Sequence, residues 1–290
     1  MTHGVTANVE LVGQFQLNMT SRRRALWLLG AAGLAALSAD GVRQGAASTR
    51  KAAPPPDQVA QGRPVVHATP TPTPTPTPRP PAWTQSPLTA VKTPIRELTD
   101  LSPAPPPNTI ALTIDDGPHP VYTPKVLDVL AEHQVTATFF IIGEQVKEFP
   151  RLARRIADAG HQVCNHTMTH PLSMTSLSSK RLRKEIGEAH DRIAQVTGIV
   201  PTFFRSPGGA WSQRVLDITA EHDMLPVDWA VDPRDWTRPG VARIRRTLVG
   251  SKAGNIMLCH DGGGDRSQTV AALRKAIPAL KKRGLTFVAL

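Results

Sequence analysis

The sequence predicts an α/β fold built on a parallel β-sheet, and it places this fold in residues 108–290 of the 290-residue chain. Short apolar runs alternate there with longer segments of helical periodicity, a pattern typical of strands that are joined by helices. Seven or eight such units are enough for a barrel. Clusters of polar residues lie at the ends of five of the apolar runs, where the loops of a barrel carry its chemistry. We therefore expect one functional site at the carboxyl ends of the strands.

Local signals set the bounds of the predicted helices. Pro124 favours a helix start because proline is tolerated in the first turn, and Gly160 and Gly198 are typical left-handed C-caps. The predicted strands span residues 110–114, 137–142, 161–165, 202–204, 225–231, 255–258 and 285–290. The predicted helices span residues 123–133, 150–159, 179–197, 212–222, 241–249 and 267–283.

Residues 1–47 are predicted to be an export signal or membrane-targeting segment. A basic stretch that begins at Ser21 precedes an apolar run that ends at Leu37, and its start resembles a twin-arginine signal. The run is too short for a comfortable transmembrane helix, which needs about 20 apolar residues. We expect an exported, extracellular or wall-associated protein that contacts the membrane only through this segment. The alternatives are an amphipathic or disordered N-terminus and a true start at Met19.

Residues 48–107 are dominated by Pro, Thr and Ala and include five consecutive Thr-Pro pairs from Thr69 to Pro78. Proline fixes φ and lacks a backbone donor, so such a run favours extended polyproline II and cannot build a core. We predict a disordered linker here, which would hold a catalytic domain over residues 108–290 away from a membrane and across a cell wall.

The formal net charge is +11, from 34 Lys and Arg against 23 Asp and Glu. The cations are spread over predicted helix faces, and only 4% of the residues are aromatic. Nucleic-acid binding favours clustered cations with aromatic residues for stacking, so this class of partner is not expected. The positive charge suits an anionic surface such as a wall polymer.

The sequence contains two cysteines, Cys164 and Cys259, and each lies within two residues of a histidine in a polar cluster. An even count in an exported protein permits a disulfide. We favour two small buried thiols that fill gaps beside the site.

Adjacent carboxylates, Asp115 and Asp116, end the first predicted strand, and the Gly-Pro pair that follows favours a turn. Their like charges would split their pKa values, unless a metal ion binds one carboxylate and leaves the other as a base. His166 and His170 lie in a predicted loop that can bring both imidazoles to one ion. With Asp116 they form a ligand set of the catalytic zinc type. Taken singly, each cluster also fits an ordinary turn or a pair of surface histidines.

The remaining clusters supply further catalytic groups. Arg205 can hold a carboxylate by charge-assisted hydrogen bonds, and the backbone at Gly208 can present an amide to a developing oxyanion. His260 follows an apolar strand and is a candidate acid, because its pKa is close to neutral. Asp235 is a candidate to orient it, and Trp236 is a candidate wall for a sugar ring.

Together the five clusters resemble the five motifs of the NodB-type polysaccharide deacetylases (carbohydrate esterase family four). The clusters span residues 113–117, 166–170, 205–209, 232–236 and 256–260. The resemblance extends over residues 108–290. It implies a deformed (β/α) barrel with seven or eight strands and one divalent metal ion, usually zinc and sometimes cobalt or another ion.

The resemblance also implies a role for each polar residue. Asp115 would be the catalytic base, tethered by Arg205, and His260 would be the acid, oriented by Asp235. The metal ligands would be Asp116, His166 and His170. The substrate-binding residues would be Gly208, Trp211, Trp236 and Leu258.

Three positions depart from the family pattern. Gly208 stands where an aromatic residue is usual, so one wall of the sugar pocket is missing or is supplied by Trp211. Ile114 replaces a Phe, and Cys259 replaces a common Leu. None of these changes removes a catalytic group, so they bear on the substrate and leave the reaction intact.

The resemblance implies a metal-dependent hydrolase that removes acetyl groups from an N-acetylated glycan. Peptidoglycan N-acetylglucosamine is the first candidate substrate, because the export segment, the linker and the basic charge all suit a cell wall. Chitin-type oligomers and acetylated xylan are the alternatives, and a non-catalytic wall-glycan-binding module is the alternative of another class. We expect a monomer.

Overall fold

The computed structural model describes residues 92–103 and 105–290, and this part of the chain forms seven strands and seven α-helices. The strands are β1 (Thr109–Asp115), β2 (Thr138–Ile141), β3 (Gln162–Asn165), β4 (Phe203–Phe204), β5 (Leu225–Pro226), β6 (Ile256–His260) and β7 (Thr286–Val288). The helices are α1 (Tyr122–Glu132), α2 (Gly143–Glu148), α3 (Pro150–Asp158), α4 (Ser179–Thr197), α5 (Gln213–Ala220), α6 (Val241–Val249) and α7 (Ser267–Lys282).

All strands run parallel in one sheet with the order β5-β4-β3-β2-β1-β6, and β7 pairs with the beginning of β1. The sheet curls into an open, half-closed barrel, with helices packed on its outside. This confirms the predicted deformed (β/α) barrel, for which seven or eight strands were expected and seven are observed. In the described residues β5 and β6 are not paired with each other, so the barrel has one open side.

The segment over residues 95–98 spans this open side. Ile95 N donates to Pro226 O at 2.9 Å on the β5 side, and Leu98 N donates to Gly254 O at 2.7 Å next to β6. Ile95, Leu98 and Leu101 are buried in the core. The sequence assigns these residues to the linker because proline dominates the surrounding composition. In the structure, these three apolar side chains at a spacing of three residues dock the segment on the barrel.

Strand β1 shows how the sheet places chemistry in the barrel interior. Successive side chains of a strand point to opposite faces, so Ile110, Leu112 and Ile114 join the core under the helices. Ala111 joins the core on the inner face. Asp115 has the same parity as Ala111 and is buried on that inner face, at the carboxyl end of the strand.

Two elements of the structure differ from the predicted ones. Strand β5 has two residues where seven were predicted, because residues 230–231 turn away and hydrogen-bond to Ile256 instead. Helix α2 was not predicted.

No helix in the described residues is long and apolar enough to span a membrane. The predicted export segment and most of the linker lie outside the described residues.

Candidate functional site

The two adjacent aspartates reach one site because the backbone adopts a left-handed conformation at the second of them. Asp116 has φ of +75°, in the left-handed region that Asp tolerates better than most residues. The carboxylate of Asp116 therefore turns toward the site that Asp115 faces. An extended backbone would have sent the two side chains to opposite faces of the sheet.

A metal-binding set forms around Asp116. Its Oδ1 lies 3.5 Å from Nε2 of His166 and 3.2 Å from Nε2 of His170, and one ligand atom from each residue lies within 4.8 Å of the other two. Burial by itself would raise the pKa of Asp116, but the charge of His170 and the closeness of both histidine rings hold it well below its ordinary value. The carboxylate is therefore ionised, as a ligand must be.

Two details of this set fit a divalent ion. Asp116 Oδ1 is buried and accepts no well-aligned hydrogen bond within the described residues, which is unusual for a buried oxygen and is explained by a ligand role. His166 Nδ1 donates to the carbonyl oxygen of Arg205 at 2.8 Å. This bond leaves the lone pair of Nε2 directed at the site, in the manner typical of metal-binding histidines.

The loop after β3, which carries both histidines, is held by a buried glutamate on α4. Thr167 and His170 have φ of +67° and +58°, so the loop needs external support. Glu185 accepts hydrogen bonds from the amide and the hydroxyl of Thr169, each at 2.8 Å. No motif in the sequence predicts a functional role for Glu185. The feature of the sequence that could have indicated this role is a charged residue three positions after Leu182, on the apolar face of the helix.

Arg205 is fully buried and engages Asp115 directly. Its Nη1 lies 2.7 Å from Asp115 Oδ1 and also donates to Thr113 Oγ1 at 2.8 Å. Nη2 donates to the backbone oxygen of Asp228 at 2.8 Å, and the guanidinium stacks 4.1 Å above the Phe140 ring. Asp115 Oδ2 is left on the side of the metal-binding set, 3.8 Å from His166 Nε2.

His260 and Asp235 form the second catalytic pair. His260 Nδ1 lies 2.7 Å from Asp235 Oδ1, and the hydroxyl of Thr269 donates to Asp235 Oδ2 at 2.7 Å. Burial alone would lower the pKa of His260, but the charge and hydrogen bond of Asp235, with the nearby Asp116 and Asp115, raise it to about 9. At neutral pH the imidazole is therefore protonated.

The predicted substrate-binding residues occupy different environments. Trp236 is 41% exposed at the rim, whereas Leu258 is 3% exposed on the same face of β6 as His260. Trp211 is half-buried and packs edge-on against Phe204.

Gly208 is exposed, and its neighbour in space is Leu172, which no sequence motif indicates. A Cβ added at Gly208 would lie 3.6 Å from Leu172 Cδ2. Leu172 is itself 41% exposed. This side chain therefore borders the space where the family's usual aromatic residue is missing.

Asp261, next to His260, is another buried carboxyl that the sequence analysis missed. Burial raises its pKa to about 7, and the charges of Asp116 and Asp115 add to this effect although the Thr123 hydrogen bond opposes it. A Cβ at Gly117 would lie 2.4 Å from Asp261 Oδ1, so the turn after Asp116 requires glycine.

Both cysteines are buried free thiols, as we favoured. Burial raises the pKa of each thiol, so neither is a ready nucleophile or metal ligand.

The chain is similar to several known proteins. The polysaccharide deacetylase family profile matches residues 102–227. A chitooligosaccharide deacetylase of Sinorhizobium fredii is 44% identical over 187 residues, covering 60% of this chain and 86% of the relative. A peptidoglycan-N-acetylglucosamine deacetylase of Bacillus cereus is 44% identical over 182 residues, covering 62% of this chain and 84% of the relative. The chain belongs to the polysaccharide deacetylase family. The resemblance seen in the five sequence clusters is thereby confirmed.

Solved structures place the fold in the same family. A peptidoglycan N-acetylglucosamine deacetylase superposes with a TM-score of 0.61 at 37% identity, over 63% of this chain and 86% of that chain. A family 4 carbohydrate esterase pseudoenzyme from Bacillus anthracis has a TM-score of 0.60 at 33% identity, over 66% and 69% of the two chains. Because the same fold occurs in a pseudoenzyme, an activity for this chain has to be argued from its site.

Proposed function

We propose that this polysaccharide deacetylase is a metal-dependent hydrolase that removes acetyl groups from the N-acetylglucosamine units of a glycan. The observation that carries the proposal is the arrangement of three groups around one point. The metal-binding set of Asp116, His166 and His170 is flanked by Asp115 with its arginine and by His260 with its aspartate. A base, an acid and an electrophile site are the parts that amide hydrolysis requires.

Asp115 is the proposed base. A divalent ion held by Asp116, His166 and His170, with zinc as the first candidate, would polarise the acetyl carbonyl and make water more acidic. Arg205 occupies Asp115 Oδ1, so Oδ2 is the oxygen that accepts the proton from the attacking water. The other hydrogen bonds of the guanidinium fix its plane, and they fix the carboxylate with it.

His260 is the proposed acid. Its Nδ1 faces Asp235, so Nε2 is the nitrogen that donates a proton to the departing sugar amine. An amine leaves poorly without this proton. The backbone amide of Gly208 is proposed to stabilise the oxyanion that forms before the amine departs. Trp236 and Leu258 are proposed to line the place of the sugar.

Peptidoglycan is the first candidate substrate. The basic charge and the predicted export segment and linker suit a cell wall, and we propose that the protein acts there or outside the cell as a monomer. The two relatives at 44% identity are named for peptidoglycan and for chitooligosaccharides, so chitin-type oligomers are the second candidate. Acetylated xylan is the third.

A non-catalytic glycan-binding module is the alternative of another class. The pseudoenzyme of the same fold gives this alternative a precedent. It is disfavoured because a binding module does not need a buried carboxylate held by an arginine next to a metal-binding set.

Release of acetate tests the proposal. Purified protein is incubated with N-acetylglucosamine oligomers, peptidoglycan and acetylated xylan, each with and without a chelator, and Asp115→Asn serves as the inactive control. We expect acetate from N-acetylated substrates only, lost on chelation and restored by zinc. Glycan binding without acetate release under any metal condition would support the binding module.

A further inference from the structure

The segment over residues 95–98 also forms one wall of a cleft that the proposed mechanism does not use. The opposite wall is the loop after β4, with Gly209 and Trp211. The cleft has a volume of about 460 Å³, within the roughly 300–1,000 Å³ of small-molecule sites. It adjoins the catalytic site, because the backbone oxygen of Asp228 accepts from Arg205, which holds Asp115.

A half-buried ion pair forms the polar floor of this cleft, which we call the Arg96 cleft. Asp228 Oδ2 accepts from Arg96 Nη2 at 3.0 Å and from Nε at 3.3 Å. The Asp228 side chain is 4% exposed, whereas that of Arg96 is 64% exposed. Arg96 therefore presents guanidinium donors to solvent while its position is fixed by a carboxylate beneath it.

Two buried polar atoms of the residues that line the cleft have no hydrogen-bond partner within the described residues. They are Asp228 Oδ1, which is an acceptor, and Trp211 Nε1, which is a donor. Buried polar atoms are rarely left unpaired in folded proteins. A hydroxyl group can both donate and accept, so a ligand with several hydroxyls has the groups that these two atoms lack.

The charges of the cleft exclude an anionic ligand. Two carboxylates, Asp100 and Asp228, and one guanidinium, Arg96, line the cleft, so a phosphate or carboxylate would meet a net negative charge. The aromatic ring of Trp211 supplies an apolar wall of the kind that small-molecule sites use. A neutral ring with hydroxyl groups on its edges and C–H groups on its faces matches this lining.

We propose that the Arg96 cleft is a subsite for a neutral sugar unit of the glycan, one or more units away from the unit that is deacetylated. This inference rests on the proposed function, because a subsite for a neighbouring sugar presupposes that a glycan is the ligand of this protein. Arg96 and Asp228 bind its hydroxyls, and Trp211 packs against its ring. The subsite makes the enzyme select longer oligomers over short ones.

Chain-length dependence tests the subsite. Deacetylation of N-acetylglucosamine oligomers of two to five units is measured with the full chain, and the pentamer-to-dimer ratio of kcat/KM is compared between variants. We expect the ratio to fall about tenfold in Arg96→Gln and in Trp211→Ala, the loss of one charge-assisted hydrogen bond or ring contact. Arg155→Gln, a surface arginine paired with Asp128, is the matched control and should keep the wild-type ratio.

The ratio is measured within one preparation, so a partly unfolded variant does not distort it. If Arg96→Gln slows dimer and pentamer equally, the pair only clamps the segment over residues 95–98, and the subsite is refuted. Binding of the pentamer to Asp115→Asn by calorimetry, with and without Arg96→Gln, gives a readout without catalysis. If Arg96→Gln weakens this binding while the wild-type protein releases no acetate under any metal condition, the proposed function is rejected and the subsite is kept.

Discussion

Arg205 and Asp115 are 90 positions apart in the sequence, yet Arg205 Nη1 lies 2.7 Å from Asp115 Oδ1 with both side chains buried. The pair joins the end of β1 to the end of β4 across the barrel interior. A buried carboxylate is costly unless it is paired, so this contact matters for both folding and catalysis.

Arg205→Met should therefore destabilise the protein as well as inactivate it. Removal of one partner of a buried ion pair costs about 3–5 kcal/mol, because the other charge is left buried without compensation. Arg155→Met breaks a half-exposed Arg–Asp pair and should cost about 1 kcal/mol or less. Urea unfolding of both variants measures the difference. Similar losses in the two variants would contradict a structural role for the Asp115 pair.

His166→Ala should abolish stable metal binding. We expect about one divalent ion per wild-type chain by elemental analysis, and little in this variant. Metal affinity should also fall as pH drops through the histidine range, since ligands must be deprotonated. His190→Ala is the control, because His190 lies outside the metal-binding set. Full metal content in His166→Ala would remove this residue from the site.

Variants of the proposed acid and of the proposed base should differ in which substrates they still hydrolyse. Asp115→Asn should abolish hydrolysis of both an amide and an activated ester, because both need the attacking water. His260→Ala should slow the amide reaction by about 10²–10⁴-fold and spare more of the ester reaction, whose leaving group needs no proton. Asp235→Asn should show the same selectivity more mildly. Equal losses of His260→Ala on both substrates would exclude the acid role.

The pH profile should report the His260–Asp235 pair. The pKa of His260 is raised to about 9, so its acid form persists at neutral pH and is lost as pH rises through that value. Amide hydrolysis should fall above about pH 9, and Asp235→Asn should move this limb to lower pH. The pair's contribution to stability is complete below the ordinary histidine pKa, declines as pH rises from there to about 9 and is lost above that value. If the alkaline limb of the pH profile stays at the same pH in Asp235→Asn, Asp235 does not set the pKa of His260.

Truncated chains should show where the linker ends and the folded barrel begins. A chain that starts at residue 92 should stay folded and active, whereas one that starts at residue 108 should lose stability because it lacks the segment over residues 95–98. Leu98 is fully buried, and Leu98→Ala should cost about 2–5 kcal/mol. Circular dichroism and thermal melting compare the three proteins. Equal melting temperatures for the two truncations would place the domain start at residue 108 after all.

The catalytic and metal-binding candidates could be named from the sequence because parallel strands bring their carboxyl ends together. Once the strands are recognised, Asp115, His166, Arg205 and His260 must lie at one rim. The same reasoning does not reach Glu185, whose contact with the histidine loop depends on how α4 packs. Nor does it reach Leu172, which borders Gly208 from a distant loop.

The sequence by itself determined the strand and helix alternation, the family and the chemical inventory of the site, because periodicity and polar clusters are local properties. Only the tertiary structure decided that Asp116 adopts a left-handed backbone, that Arg205 holds Asp115, and that residues 95–98 span the open side of the barrel. These features depend on contacts between segments far apart in the chain. Hydrogen-bond geometry and burial, which fix such contacts, exist only after the sheet has curled.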